Sequence, residues 1–218
     1  VASVAIVVTA PILAAAAIAI RVTSGPGVMF HQERVGKDGV PFRLHKLRTM
    51  VPDAEARLGE VLATLGNGRD NVLFKLDNDP RRTKVGRFLE ATSLDELPQL
   101  FNVLNGSMSI VGPRPLMHVS FLLYPPNVQE VIYNCKPGIT GIGSLIFRDE
   151  EKIISDAADP KAMYLTVFAY KGQLELWYQE NASLWLDLMI IFLTAWSILF
   201  PKNKLAYQFF KDLPRRPF

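Results

Sequence analysis

The chain has 218 residues, with 24 Lys plus Arg against 21 Asp plus Glu, and one cysteine, Cys135. This length is enough for a buried core, and a single cysteine excludes an intramolecular disulfide framework. The net charge of +3 is unevenly placed, because residues 1–20 carry no charge and residues 201–218 carry +4. Nucleic-acid binders usually spread positive charge over a face, so the pattern favours a membrane surface as partner and not nucleic acid.

The first 20 residues are apolar throughout, and a helix of that length spans about 30 Å, the thickness of a bilayer core. A secretory signal would show a basic leading region and a cleavage site, and neither is visible. Pro11 predicts a kink, because proline removes a helical hydrogen bond. The local sequence leaves open whether this helix crosses the membrane or turns back and leaves by the face that it entered. The Thr9 hydroxyl is close enough to Pro11 to bond a carbonyl that the proline leaves without a partner.

Turn-forming residues 23–27 end the apolar run, and an Asp38-Gly39 hairpin signal predicts strands around 28–34 and 40–47. Apolar spacing then predicts four helices, the first ended by Gly66-Asn67-Gly68, over residues 52–65, 83–91, 97–105 and 160–181. Prolines are expected to break regular structure between the third and the fourth. Residues 184–200 hold one charge, Asp187, and favour either a buried core helix or a helix in or on the membrane face.

Residues 93–100, SLDELPQL, place two adjacent carboxylates, Asp95 and Glu96, beside a helix start. One interpretation is a capping box between Ser93 and Glu96, with Asp95 stabilised by the helix dipole. The other is chemical: a carboxylate attacks phosphorus to form an acyl phosphate, and Mg²⁺ held by one or two carboxylates separates the negative reactants.

The chemical interpretation requires cations for a diphosphate, and the sequence supplies them. Lys46 and Arg48 alternate along a predicted strand, which would point both to one face. A basic cluster that includes Arg81 and Arg87 precedes the carboxylates, and Arg114 lies between two prolines that would fix its backbone. The sequence has no Walker loop, GxGxxG or GxSxG motif, which argues against a P-loop NTPase, a dinucleotide enzyme or a serine hydrolase.

From about residue 5 to residue 200 the chain resembles the bacterial sugar transferases, the monotopic polyprenol-phosphate phosphoglycosyl transferases that start glycan assembly. The matching stretches are residues 24–27 with Phe30, 32–36, Phe42 with 46–50, 79–81 with Thr83 and 86–89, 93–100 with 102–104, 108–115, and 136–141.

The resemblance implies that Asp95 is the nucleophile and touches Mg²⁺, and that Glu96 assists as metal ligand or acid/base. Lys46, Arg48, Arg87 and Arg114 would hold phosphates. A nucleotide diphosphate sugar, most often a UDP-sugar in this family, would donate the phospho-sugar, and polyprenol phosphate (undecaprenyl phosphate in bacteria) would accept it. The family's membrane helix is re-entrant and broken at a proline, which matches Pro11 and implies a catalytic domain on the cytoplasmic face of the bacterial inner membrane.

Two departures from the family pattern are visible. The helix break reads Ala10-Pro11 in place of Ser-Pro, which removes one hydroxyl. After Gly141 the usual Gln-Val and Gly-Arg stretch is replaced by residues 142–151, so the usual sugar preferences do not carry over if that region shapes the sugar pocket. Arg148 is the candidate phosphate or sugar contact there.

The expected fold is α/β, with mostly short helices, a small β-hairpin or sheet and interfacial amphipathic helices. The expected domains are a re-entrant membrane helix at 1–22, a catalytic domain with membrane-interface helices at 23–200, and a basic tail at 201–218. Two rival functions stay open: a catalytically inactive membrane scaffold and a nucleotide-sugar-binding regulator. Membrane lipids are expected partners, and a homodimer stays open because no segment identifies a dimer surface.

Overall fold

A computed structural model gives the structure of the protein over residues 2–65, 79–148, 150–200 and 205–217. The helices are α1 Ala2–Ser24, α2 Leu58–Leu65, α3 Lys84–Ala91, α4 Gln99–Leu104, α5 His118–Phe121, α6 Pro126–Gln129, α7 Ile142–Ile146, α8 Glu150–Ser155, α9 Pro160–Asn181, α10 Leu184–Leu199 and α11 Leu205–Phe209. The strands are β1 Met29–Val35, β2 Pro41–Leu47, β3 Ser109–Val111 and β4 Gly138–Thr140. This mainly helical α/β fold with a small hairpin confirms the predicted fold class.

The predicted strands and three of the four predicted helices are confirmed to within two residues at each end. The remaining helix, predicted over residues 52–65, begins only at Leu58. The reason is that the Ala54 carbonyl accepts from Arg81 Nη1 (3.2 Å), while Leu58 N donates to Glu55 O in a tight turn. Its predicted end at Gly66-Asn67-Gly68 lies outside the described residues. Helices α5 to α8 were not predicted, because four to six residues are too few to establish a helical period.

The chain forms two compact units that are interleaved in sequence. The first unit consists of residues 1–33 and 43–106, and the second of residues 34–42 and 107–218. The tip of the β1–β2 hairpin therefore belongs to the second unit, where Val35 N donates to Leu116 O and Asp38 N donates to Tyr133 O.

In the first unit the apolar helix α1 packs against α3 and α4. Ala16 and Ile20 of α1 form a small core with Leu47 and Leu89, whereas most of the helix surface is exposed and apolar. By length and composition α1 can cross a membrane. The helix is assigned on both sides of Pro11, so a re-entrant path stays a prediction.

The predicted role of Thr9 is wrong. Its hydroxyl donates to the Ala5 carbonyl at 2.7 Å, one turn back along the helix. The carbonyl that loses its partner at Pro11 is that of Val7, four residues before the proline.

Arg48 caps the end of α1. Its guanidinium donates to the carbonyls of Ser24 (2.8 Å), Gly25 (3.1 Å) and Pro26. The last carbonyls of a helix lack intrahelical partners and carry partial negative charge, so a cation there is stabilising. Gly27 has a φ of +85°, and a Cβ at this position would lie 3.0 Å from Arg48 Nη1. The turn that ends the apolar helix is thus built around one side chain from beyond β2.

Helix α3 approaches the backbone that follows β2 very closely. Thr83 caps α3 by accepting from Gly86 N (2.8 Å), and both its backbone N–H and its hydroxyl donate to Thr49 O. A Cβ at Gly86 would lie 1.8 Å from the same Thr49 oxygen. Only glycine therefore permits this contact.

In the second unit β3 and β4 pair in parallel, with Ser109 opposite Gly138 and Val111 opposite Thr140. Helix α9 buries Val167, Tyr170 and Leu174 in the main core of this unit. Helix α10 contributes Leu186, Ile190 and Leu193 to the same core, so one of its faces is that of a core helix. Its opposite face exposes Leu184, Trp185, Leu188 and Phe192, which leaves membrane contact as a prediction for that face.

The basic C-terminal segment packs within the second unit over residues 205–217. Ala206 and Leu213 are buried in the main core of the second unit, and the Tyr170 hydroxyl contacts the Tyr207 hydroxyl at 3.3 Å. Arg216 donates to the Ile146 carbonyl and lies over the Phe147 ring, 4.8 Å from its centroid. The apolar residues between the charges thus join the core of this unit, while the segment keeps its basic composition.

Substitution of Gly86 by alanine is expected to destabilise the protein by about 3 kcal/mol, because the new Cβ meets a backbone oxygen that cannot rotate away. Gly59 in α2 is the matched control, since a Cβ there meets nothing within 4 Å and alanine favours helix by up to about 1 kcal/mol. Denaturant unfolding of both variants checks the pair. Equal effects of the two substitutions would contradict the close contact between α3 and Thr49.

Candidate active site

The two predicted catalytic carboxylates lie on a single turn of 3-10 helix, Leu94–Glu96, just before α4. Ser93 precedes this turn with a φ of +57°, a left-handed conformation that non-glycine residues seldom adopt. Its side chain makes no capping hydrogen bond, so the capping-box interpretation is wrong. Left-handed backbone at such a residue costs about 1–3 kcal/mol and often marks a functional site.

Lys46 brings the two carboxylates together. Its ammonium lies 2.7 Å from Glu96 Oε1 and 3.5 Å from Asp95 Oδ2. Lys46 comes from β2, so a strand and a turn that are about 50 residues apart in sequence meet at one cation. The three side chains are all largely shielded from solvent, and together they carry one net negative charge.

Asp95 is buried, with 6% of its surface exposed. Burial raises the pKa of its carboxyl above the ordinary value of 3.8, and the nearby charges of Glu96 and Glu90 add to this, while Lys46 opposes it. A carboxylate with a raised pKa is more basic and therefore a stronger nucleophile than an exposed aspartate, provided that it stays ionised at the working pH.

Asn102 fixes the distance between the two halves of this site. It is 1% exposed on α4, its Oδ1 accepts from His45 N (3.1 Å), and its Nδ2 donates to Arg43 O (2.9 Å). The side-chain amide thereby pairs with β2 as a neighbouring strand would, directly beside Lys46. Sequence reasoning noted Asn102 as part of a matching stretch but assigned it no role, because nothing local shows that an amide faces a distant strand.

Two of the predicted phosphate-binding arginines of the first unit are engaged with the protein itself. Arg48 does not share a face with Lys46, because β2 ends at Leu47 and Arg48 turns to the end of α1. Arg81 is buried and forms a bidentate ion pair with Asp79, with 2.7 Å between Nη2 and Oδ2. Arg87 is exposed on α3, which packs against the turn that carries the carboxylates.

Arg114 and Arg148 belong to the second unit, and both are exposed. The Arg114 carbonyl accepts from the Tyr133 hydroxyl at 2.8 Å, which holds the backbone between Pro113 and Pro115 as the sequence predicts it to be held. Their phosphate or sugar contacts stay predictions.

The carboxylate pair fits a magnesium ion in its donor chemistry. Within the described residues no group of three or more His, Cys, Asp or Glu side chains could hold a metal. Asp95 and Glu96, however, converge on one ammonium position, which demonstrates that their oxygens can meet a common cation. One or two carboxylates completed by substrate phosphates is the usual protein site for Mg²⁺. The magnesium role of Asp95 and Glu96 stays a prediction.

Comparison with known proteins identifies the lineage of this arrangement. The family model described as bacterial sugar transferase matches residues 1–201. The chain is 39% identical over 177 residues to undecaprenyl-phosphate galactose phosphotransferase of Salmonella typhimurium, which covers 80% of this chain and 34% of that protein. It is 37% identical over 180 residues to the uncharacterized sugar transferase EpsL of Bacillus subtilis, covering 83% of this chain and 74% of EpsL.

A third relative is UDP-glucose:undecaprenyl-phosphate glucose-1-phosphate transferase of Klebsiella pneumoniae, 37% identical over 209 residues, which are 95% of this chain and 40% of that protein. The chain thus spans about a third of the length of several curated relatives that it matches, such as the Salmonella typhimurium protein at 34%. Asp95, Glu96 and Lys46 all lie within the stretch matched by the family model.

Replacement of Asp95 by asparagine is expected to raise the unfolding temperature at neutral pH. The raised pKa means that the folded state disfavours the ionised carboxylate, so this destabilisation is absent below pH 3.8 and develops as pH rises through the folded-state pKa. The stability gain of Asp95→Asn over the parent should therefore shrink as pH falls toward 4. Thermal unfolding across pH checks this, and a gain that grows on acidification would contradict it.

Replacement of Asn102 by alanine is expected to destabilise the protein by about 2–4 kcal/mol, because two buried backbone groups of β2 lose their partner. The exposed Asn105 at the end of α4 is the matched control and should cost less than about 1 kcal/mol as alanine. Chemical denaturation measures both. A loss for Asn102→Ala no larger than for Asn105→Ala would show that the amide does not tie α4 to β2.

Proposed function

Because the chain belongs to the bacterial sugar transferase family, we propose that it is a phosphoglycosyl transferase that moves a phospho-sugar from a nucleoside diphosphate sugar to polyprenol phosphate. The observation that carries this proposal is the buried Asp95 carboxylate, held with Glu96 at a shared lysine on a turn with strained backbone. The names of the Salmonella typhimurium and Klebsiella pneumoniae relatives support undecaprenyl phosphate as the acceptor, and the name of the second supports a UDP-sugar as the donor.

The proposed reaction has two displacements at one phosphorus atom. An Asp95 oxygen attacks the phosphate bonded to the sugar, and the bond from that phosphorus to the bridging oxygen breaks, which releases the nucleoside monophosphate with the electron pair. An oxygen of polyprenol phosphate then attacks the same phosphorus. The bond to Asp95 breaks, the carboxylate is restored, and the product is a polyprenyl diphosphate sugar.

The residues around Asp95 suit this chemistry. Lys46 offsets part of the negative charge of the carboxylate pair, so that an anionic diphosphate can approach. Burial gives Asp95 its basicity and excludes water that would hydrolyse an acyl phosphate. Mg²⁺ bound by Asp95 and Glu96 would supply charge neutralisation for the diphosphate oxygens.

We select candidate phosphate contacts by asking which arginine side chains already bind other groups of the protein. Arg87 is exposed on the helix that packs against the catalytic turn and is our first candidate for the diphosphate. Arg48 and Arg81 already bind main-chain carbonyls and Asp79, and we assign them to holding the fold around the site. Arg114 and Arg148 stay proposed contacts from the second unit.

The apolar helix α1 explains how a lipid acceptor would reach this site. It packs directly against α3 and α4, which flank the catalytic turn, and it presents an apolar surface along the rest of its length. An enzyme held at the bilayer by this helix can take a soluble donor from water and a lipid phosphate from the membrane surface. We propose the cytoplasmic face of the bacterial inner membrane, with α1 entering and leaving on that side.

Incubation of the protein with Mg²⁺ and a panel of UDP-sugars, without lipid, should add the mass of one phospho-sugar and release UMP in equal amount. Intact-protein mass spectrometry detects the adduct, which should form on Asp95, whose pKa burial raises above its ordinary value. The adduct should disappear when polyprenol phosphate is added.

Asp95→Asn is the matched control, since it keeps the shape of the side chain and should give neither adduct nor UMP. If no donor releases UMP even when polyprenol phosphate is present, the transferase proposal fails and a scaffold role takes its place. UMP release by Asp95→Asn at the parent rate would instead refute Asp95 as the nucleophile.

A further inference from the structure

Helix α9 places one lysine near two carboxyl groups of the second unit. The Lys171 ammonium lies 2.6 Å from Glu150 Oε2 of α8 and 5.5 Å from the centroid of the Phe147 ring. Both side chains of this ion pair are largely shielded from solvent. The other carboxyl group is that of Glu175, one turn after Lys171 on α9. One cation therefore lies within the same helix–helix contact as two groups that can each become an anion.

Glu175 is buried in the middle of α9, with 3% of its surface exposed. It accepts a hydrogen bond from the backbone N–H of Gly143. A Cβ at position 143 would lie 2.6 Å from Glu175 Oε1, so glycine permits this close approach. Among the residues that the structure describes, no group donates to the other oxygen, Oε2. A buried carboxylate oxygen without a donor is costly, so the ionised state of Glu175 calls for a cation.

A small pocket lies beside Glu175 and Lys171 and offers room for that cation. Its cavity volume is about 20 Å³, which accommodates one water-sized group such as an ammonium. Glu175, Lys171, Gly143 and Ser144 are among the residues that line it. The lysine side chain is flexible, so a change of rotamer can carry its ammonium from Glu150 into the pocket.

The groups around Glu175 leave it as the one that changes charge near neutral pH. Burial raises the pKa of Glu175 to about 7, and the charge of Lys171 and the Gly143 N–H oppose this only in part. Burial also raises the pKa values of the nearby thiol and phenols, which therefore stay neutral at that pH, namely Cys135, Tyr124, Tyr133 and Tyr178. The remaining charged neighbours are Glu150 on α8 and Arg114 in the pocket lining, and Lys171 is the cation with the largest effect on Glu175.

We propose that Lys171 switches between the two carboxyl groups according to the protonation state of Glu175. When Glu175 is protonated it is neutral, and Lys171 stays with Glu150 and holds α8 against α9. When the proton leaves Glu175 for solvent, the buried carboxylate draws the ammonium into the pocket, and Glu150 loses its cation and α8 is released. Lys171 stays charged in both states. This regulatory device belongs to the second unit alone and goes beyond the proposed transferase activity.

Hydrogen–deuterium exchange read by mass spectrometry tests the switch on the whole chain. The measurements are made at about pH 6 and about pH 8, on either side of the Glu175 pKa, with correction for the intrinsic exchange rate. We expect the peptide that contains α8 to exchange about 10-fold faster or more at the higher pH, because a largely buried ion pair is broken. The peptide that contains Val167 and Leu174 of α9 should not change, which separates release of α8 from unfolding of the unit.

Three substitutions distinguish the parts of the switch. Glu175→Gln removes the titration at nearly constant size, and α8 should then exchange slowly at both pH values. Glu150→Gln removes the partner of Lys171 on α8, which should then exchange fast at both. Asp187→Asn is the matched control, because Asp187 is also a partly buried acid of this unit, accepting from the Tyr178 hydroxyl at 2.8 Å, but does not line the pocket. It should keep the pH dependence of the parent.

The proposal is overturned if exchange of α8 in the parent is the same at both pH values, or if its pH dependence persists in Glu175→Gln. A pH dependence that persists in Glu150→Gln would also overturn it, since Lys171 would then have no role. If Glu175→Gln does not fold, the parent and Glu150→Gln decide. None of these measurements uses a sugar donor or UMP release, so the switch and the transferase proposal can fail separately.

Discussion

The ammonium of Lys46 is the interaction on which the arrangement of the first unit depends. Two adjacent, largely buried carboxylates would repel each other and would be costly to ionise, and the lysine offsets both effects at distances of 2.7 and 3.5 Å. This interaction requires that Lys46 lies at a fixed distance from the turn that carries Asp95 and Glu96. Asn102 does this by tying β2 to α4, and the left-handed Ser93 turns the backbone so that Asp95 faces inward.

A second constraint comes from the apolar helix α1. A helix end carries carbonyls without partners, and here they lie next to a site that needs cations. Arg48 donates hydrogen bonds to the carbonyls at the end of the helix, whereas Lys46, two residues earlier, pairs with the carboxylates. The end of α1 and the candidate site are therefore connected through a few residues of one strand and its extension. Alternation along the sequence suggested that both cations serve phosphate, whereas the end of β2 at Leu47 sends them to different partners.

The sequence was informative where the signal is local and periodic. The hairpin, the helices α3, α4 and α9, and the position of Asp95 and Glu96 beside the start of a helix could be predicted from spacing. What could not be predicted depends on contacts between distant residues: the pairing of Arg81 with Asp79 and Ala54, the amide of Asn102 on β2, and the burial of Glu175. A pattern of residue types does not reveal which cation faces a substrate and which faces a carbonyl.

The interleaving of the two units has a consequence for synthesis on the ribosome. The hairpin tip at residues 34–42 leaves the ribosome early, yet its backbone partners Leu116 and Tyr133 come much later in the chain. At about 5–20 residues per second, the wait for Tyr133 is about 5–20 s. During that interval β1 and β2 must persist as a nascent hairpin with an unsatisfied tip. The β1–β2 hairpin is thus exposed to chaperones and to mispairing while the polypeptide is still being made.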